Sequence, residues 1–423
     1  MKRLNPAMQR FARCMLLILC LSILYVLLMM MAYVIPDSAI MENRNSGIQY
    51  LDSEGERPLL IFRSASSMMD NFTDKLMLTR SVNEQEMRLI SRAMFPNYAR
   101  YWNGYQVLLR PLLMVANYSQ IRTLINAVCI FLLIAAFCQI RKSINTWIAS
   151  AFVLSMLLVR FIVVSVSMQY ASCFIIMMIA MIVMLRGLDK GMSETKLCLL
   201  FTVVGSVTNF VDLLTVPAIT VGVPAVAFVA WHIENGGFSW KTQFMSLVRI
   251  AFYWLMGYGI TWALKWLYAT LILGKNIFAQ AMEQVAFRTN GTERYPGNRI
   301  LAIKQNLYCE KYLYQMIKLF SGVLIIEIVV DFALHRSVKK MGWLKGISLL
   351  VLLAGMPYVW YMVLGNHSWL HNWFTYRLQI VTAFGLGCSV VYGIQNSAIG
   401  RRIKRPAQSA KPARKRRAPV STD

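Results

Sequence analysis

The sequence predicts an all-α polytopic integral membrane protein, with about ten transmembrane helices and a long outer loop of interfacial helices after helix 1. Three observations predict it. Of 423 residues, 57% are hydrophobic and 15% charged, where soluble domains carry roughly a quarter charged, and mean hydropathy is +0.50. About ten runs reach the roughly 20 mostly apolar residues that a helix needs to cross a bilayer. The 44 Lys and Arg against 19 Asp and Glu, a formal charge of +25, fall unevenly between those runs. This composition excludes disorder, coiled coil and collagen.

Residues 1–13 carry Lys2, Arg3, Arg10 and Arg13 and read as a cytoplasmic N-terminus. Residues 14–35 form the first transmembrane helix. Its apolar stretch is longer than a signal-peptide core, and Tyr33-Val34-Ile35-Pro36 is no small-residue cleavage site, so the helix is expected to stay uncleaved. Residues 36–122 make the outer loop, with amphipathic or re-entrant helices. Residues 123–397 form the bundle, with runs near 123–140, 147–164, 169–185, 196–213, 216–233, 248–271, 314–334, 344–364 and 379–394, and outer loops near 272–313 and 365–378. Residues 398–423 are a basic, disordered cytoplasmic tail with nine Lys and Arg after Gly400.

Ten crossings place both termini in the cytoplasm of a multi-pass cell-membrane protein. The inward segments then hold Arg141/Lys142, Arg186/Lys190/Lys196, Lys241/Arg249 and Arg336/Lys339/Lys340/Lys345, while the outward segments hold twelve of the 19 carboxylates, as the positive-inside rule requires. The positives therefore set topology and, in the tail, meet anionic lipid; they are no nucleic-acid footprint. The pair of crossings around Arg160 and the pair around Val216, where Pro217 and Pro224 interrupt, leave open an eight-helix version with re-entrant hairpins. Only Cys309 of the eight cysteines falls outside, so no disulfide framework is expected. No zinc, P-loop or dinucleotide motif is present, and no internal repeat marks an inverted-repeat transporter.

The outer segments carry the chemistry. Ser81-Val82-Asn83-Glu84 reads as a capping box opening a helix with Met87, Ile90 and Met94 on one face, lying flat at the interface. In Met68–Leu78, a helix would place Asp70 and Asp74 one turn apart on one face, as a general base or a carboxylate pair holding a divalent cation requires. A solvated face is the alternative. Asp37, directly after the first helix, is a third candidate base. The stretch from Asn97 to Leu113 gathers Arg100, Trp102, Tyr105 and Arg110, either a phosphate-binding and sugar-stacking wall or an interfacial aromatic belt. His367 and His371 lie i, i+4 with Arg377 nearby, and suit hydrogen bonding to a polar substrate better than a zinc pair, for want of a third ligand. Arg160, Asp212 and Lys265 fall within apolar runs, toward their outer ends. They line an outward cavity or form a structural salt-bridge set. Glu327 and Asp331 lie nearer the inner end. The segment from Gly205 to Pro224 reads as a broken helix.

A helix with a cytoplasmic N-terminus, a long acidic outer loop and a polytopic bundle resemble the GT-C superfamily of membrane glycosyltransferases. The segments NFTDKLML, YARYWNGYQVLLRPLL, TNFVDLLTVP and NHSWLHNWFTYR also resemble uncharacterised bacterial polytopic proteins grouped near it. The resemblance implies transfer of a sugar from a polyprenyl-phosphate donor to an outer-face glycan or lipid acceptor, with Asp74, Asp70 or Asp37 as base. Cations for the leaving phosphate would come from Arg100, Arg110, Arg160, Lys265 and Arg377. The superfamily contains members with and without a divalent cation. A transporter or flippase of a lipid-linked sugar or amphiphile is the competing expectation.

Overall fold

The computed structural model describes residues 5–61, 64–82, 87–95, 98–292, 297–335 and 342–397, and among these it is helical without a β-strand; Leu59 and Met68 pair in an isolated bridge. Helix α1 (Pro6–Val34) opens on an Asn5 cap with Pro6 in its first turn. A loop region follows with α2 (Met41–Glu54), α3 (Asn71–Thr79), α4 (Leu89–Ala93) and α5 (Gln106–Leu113). Then come α6 (Tyr118–Ser143), opened by an Asn117/Gln120 capping box, α7 (Thr146–Leu158), the single turn α8 (Phe161–Val164), α9 (Met168–Asp189), α10 (Glu194–Val211) and α11 (Ile219–Glu234). The chain continues through α12 (Trp240–Leu273), α13 (Ile277–Asn290), α14 (Arg299–Tyr308), α15 (Lys311–His335), α16 (Trp343–Ala354), α17 (Met356–Val363), α18 (Gly365–Leu370), α19 (Asn372–Thr375) and α20 (Ile380–Asn396).

Among the described residues, seven segments are long and apolar enough to cross a membrane: α1, α6, α9, α10, α12, the α16–α17 pair and the stretch from Asn372 to Asn396. A helix satisfies its own backbone polar groups, as a segment crossing hydrocarbon must. The expected ten are thus seven by this measure. Helices α7 and α11 have 13 and 16 residues, roughly 20 and 24 Å at 1.5 Å per residue, short of a bilayer core of about 30 Å. Helix α15 is long enough, with 25 residues, but carries Lys318, Glu327 and Asp331. Most of the stretch from Asn372 to Asn396 is buried while most of α6 is not, so α20 is the central helix and α6 a peripheral one.

Contacts define two ends. At the proximal end, where α1 begins, Glu194 pairs with Arg10 and Arg249, Asp189 accepts from Ser143 and Trp231, and Asp331 accepts from Trp343. At the distal end, where α1 finishes, α2 to α5, the 212–218 loop, α13, α14 and α18 come together. Helices α10 and α12 cross with almost no space between backbones: a Cβ on Gly205 would lie 2.1 Å from the Trp254 carbonyl oxygen, and one on Gly257 2.2 Å from that of Thr202. Small residues permit this approach in membrane bundles. Gly205→Val and Gly257→Val are each expected to cost about 1–3 kcal/mol or more by overpacking, read as a lower unfolding temperature in detergent. Unchanged stability in both would show that these helices do not cross there.

One local expectation is corrected, and the expected break between Gly205 and Pro224 takes a definite form. Ser81 is no helix cap: its hydroxyl donates to the Leu78 carbonyl at the end of α3, and α4 is five residues long with Arg88 at its cap position; Asn83 and Glu84 lie outside the described residues. The Gly205–Pro224 segment is two helices joined by a loop, with Leu214 at φ 66° and Pro224 inside α11. The basic tail, Arg336, Lys339 and Lys340 also lie outside the described residues. All eight cysteines are free.

Candidate functional site

Most of the charges singled out in the sequence are engaged within the protein. Helix α1 ends with unsatisfied carbonyls, and the fully buried Arg110 of α5 donates to three at that end or nearby: Ala32 at 2.9 Å, Ile35 and Ser81. Its guanidinium also pairs with Asp37 at 2.9 Å, and Arg92 pairs with the same carboxylate at 2.8 Å. Arg160 is held by Glu310 at 2.9 and 3.0 Å, and Ser66 donates to the same carboxylate. Arg377 donates to the carbonyls of Trp373 and Ser66 and lies 4.5 Å from the Tyr170 ring centroid. Lys265 donates to the Met94 carbonyl at 2.8 Å over the ring of Trp102. Arg160, Asp212 and Lys265 therefore do not form a salt-bridge set; each is held by different neighbours. Trp102 and Tyr105 are core residues, the indole N–H of Trp102 donating to Thr261.

Asp70 and Asp74 do not project side by side from one helix face. Helix α3 begins one residue after Asp70, whose Oδ1 accepts the Thr73 N–H as the cap, so its side chain folds over the helix end instead of projecting one turn before Asp74. Asp74 is fully buried and accepts from the Tyr118 hydroxyl at 2.5 Å and from the first two N–H groups of α9, Met168 at 3.2 Å and Gln169 at 2.9 Å. A carboxylate at a helix N-terminus is favoured by the dipole and the free N–H groups, so Asp74 clamps α3 onto α6 and α9. Burial raises its pKa, against the lowering effect of the Tyr118 bond.

Among the arginines at this end that form no ion pair within the described residues are Arg57, Arg80, Arg100 and Arg288. These four sit against rings. Arg80 and Arg100 lie 3.8 and 5.1 Å from the Tyr98 centroid, and Tyr98 stacks on Tyr101 at 5.2 Å. Tyr101 meets Trp262 at 5.7 Å, and the indoles of Trp262 and Trp266 donate to the Arg100 carbonyl, fixing that turn. Arg57 covers Trp373 at 4.6 Å. Arg288 donates to His367 Nδ1 at 2.7 Å, which leaves Nε2 as the protonated nitrogen donating to the Leu214 carbonyl at 3.0 Å.

Both histidines are neutral near pH 7: burial and then Arg288 push His367 down, and burial, Arg288 and Arg57 push His371 down to about 4. His371 Nδ1 is buried with no hydrogen-bond partner among the described residues. Two carboxylates border the same region. Asp70 is buried, which raises its pKa, in the fields of Arg57 and the Trp373 indole. Asp212 is pushed up to about 6 by burial and accepts from the Thr215 N–H. The Tyr101 hydroxyl lies within the field of Arg288, Asp212 and Arg100 together.

The structure thus brings Asp70, Arg100, Asp212, His367 and His371 into one region, and sets Asp37, Asp74, Arg110, Arg160, Lys265 and Arg377 behind it as supports. Sequence reasoning missed Arg57, Arg80 and Arg288. For Arg288 on α13 the available signal was an arginine on an outer segment with no acid three or four residues away; Arg57 and Arg80 give no such signal, since Glu54 and Glu84 stand at those spacings. Among the described residues no group of three His, Cys, Asp or Glu is arranged to hold a metal ion. No family model, curated protein or solved structure matches the chain.

Proposed function

We propose that this protein is a multi-pass membrane glycosyltransferase that moves a sugar from a polyprenyl-phosphate-linked donor to an outer-face acceptor, with Asp70 as general base. One observation supports it above the others: Arg57, Arg80, Arg100 and Arg288, which form no ion pair within the described residues, are interleaved with Tyr98, Tyr101, Trp262 and Trp373 and lie with two raised-pKa carboxylates at one end of an apolar bundle. Arginine forks bind phosphate oxygens, flat rings stack on sugars, and a buried acid beside them takes the proton of an attacking hydroxyl. A phosphate leaves in this reaction, so fixed cations stabilise the charge as it develops.

In this reading α7, α11 and α15 also cross, giving ten passes with cytoplasmic termini and an extracellular distal end. The clustering of Arg141, Lys142, Arg186, Lys190, Lys196, Lys241 and Arg249 at the proximal end supports that orientation. The flippase alternative draws on Glu327, buried against Gly393 with neither carboxylate oxygen hydrogen-bonded among the described residues. It needs Glu327, Asp331 and Asp212 along one path, whereas Asp331 is bonded to Trp343 at the proximal end and Asp212 closes the distal loop.

The test is sugar transfer by purified protein across a panel of polyprenyl-phosphate donors. Arg288→Gln removes a charge-assisted contact worth about 1.5–3 kcal/mol, so the donor KM is expected to rise on the order of 10- to 100-fold. No transfer with any donor, together with movement of labelled lipid across vesicles, would replace this reading with the flippase.

A further inference from the structure

The proximal end holds a second arrangement that the transfer reaction does not use. Helices α6 and α9 pack side by side, and at this end a cleft of about 830 Å³ opens between them. Lys142 of α6 and Arg186 and Lys190 of α9 line it, with one carboxylate, Asp189. That carboxylate is committed elsewhere. One oxygen accepts from Ser143 at 2.6 Å and Gln139 at 3.3 Å, and the other accepts the Trp231 indole N–H at 2.9 Å. None of the three cations forms an ion pair within the described residues.

Arg186 is also oriented. Its Nε donates to Gln139 Oε1 at 3.0 Å, leaving both terminal nitrogens for an oxyanion. Gln139 bridges the arginine to the Asp189 cluster, so the helix ends and the guanidinium are held as a unit.

Above the cations the two helices carry matched ladders. Phe131, Ala135, Cys138 and Lys142 follow one another by four, three and four residues on α6, and Ile179, Val183, Arg186 and Lys190 follow the same spacing on α9. That spacing keeps each set on one helix face. Phe131, Cys138, Ile179 and Val183 are exposed. Each face is therefore apolar along its length and basic at its end.

We propose that this cleft binds an anionic phospholipid of the leaflet at the proximal end, its phosphate between Lys142, Arg186 and Lys190 and one acyl chain along the two ladders. Basic pockets between transmembrane helices take anionic headgroups on the cytoplasmic side. Charge complementarity selects the headgroup, and the apolar continuation selects a lipid over a free phosphate. The proposal stands whether or not the protein transfers sugar.

The test is native mass spectrometry of the purified full-length protein with phosphatidylglycerol or phosphatidylcholine added at equal concentration. Wild type is expected to retain phosphatidylglycerol preferentially. The K142Q/R186Q/K190Q variant is expected to lose that preference on the order of tenfold or more, since each juxtamembrane cation contributes. Ala135→Phe, which fills the apolar part and leaves the charges, is expected to reduce retention as well. Equal retention of the two lipids by wild type overturns the proposal even where the triple variant does not fold. So does an undiminished preference in a folded triple variant. Displacement of the lipid by inorganic phosphate at concentrations comparable with the lipid would overturn the role of the chain.

Discussion

Asp70→Asn is expected to slow sugar transfer by roughly 10²- to 10⁴-fold, the usual contribution of a positioned general base, with the fold and the donor KM left close to wild type. The substitution is clean because of where Asp70 sits. Its Oδ1 caps α3 through the Thr73 N–H, and Asn caps a helix as well as Asp does, so the amide retains the structural bond and loses only the basic oxygen. The pH dependence carries the same signature. Burial raises the Asp70 pKa, and the base acts in its charged form, so activity falls as pH drops through a value above the ordinary carboxylate range near 3.9. That acid limb should vanish from the residual activity of Asp70→Asn. Full activity in this variant would remove Asp70 from the chemistry and make Asp212, the other raised carboxylate, the base to test.

Asp74→Ala should give the opposite pattern, a folding defect of about 3–5 kcal/mol, the cost of taking one member from a buried charged network. The Tyr118 hydroxyl and the Met168 and Gln169 N–H groups would all lose their acceptor. Asp74→Asn keeps one acceptor oxygen and should lie between. The measurements are folded yield and unfolding temperature in detergent, with donor turnover per folded molecule. A stable, inactive Asp74→Ala would reverse the assignment and return Asp74 to the chemistry.

The two aspartates show why reading a site from spacing is hard. The i, i+4 relation between Asp70 and Asp74 is real in the chain, but it implies a shared face only if both residues are helical, and Asp70 is the cap. A helix start is a matter of one residue, yet it turns a proposed pair into one bordering acid and one clamp. The same holds for the cations. Arg110 and Arg377 are drawn to carbonyls, and Arg160 to Glu310, because a buried cation must be satisfied by whatever the fold presents. Arg288, which attracts no attention on its amphipathic segment, is left to face His367.

What the chain alone established is its class: a helical membrane protein, with apolar segments interrupted by basic and acidic gaps and the informative residues gathered in the 36–122 loop, the 205–224 segment and the 366–377 segment. That much is local, because a segment in hydrocarbon must satisfy its own backbone and be apolar along some 20 consecutive residues. Which charges are paired within the protein is decided by three-dimensional packing. Pairing joins residues far apart in the chain, Arg160 with Glu310 across 150 positions and His367 with Leu214 across 153, and a charge is free for function only once every such partner has been assigned.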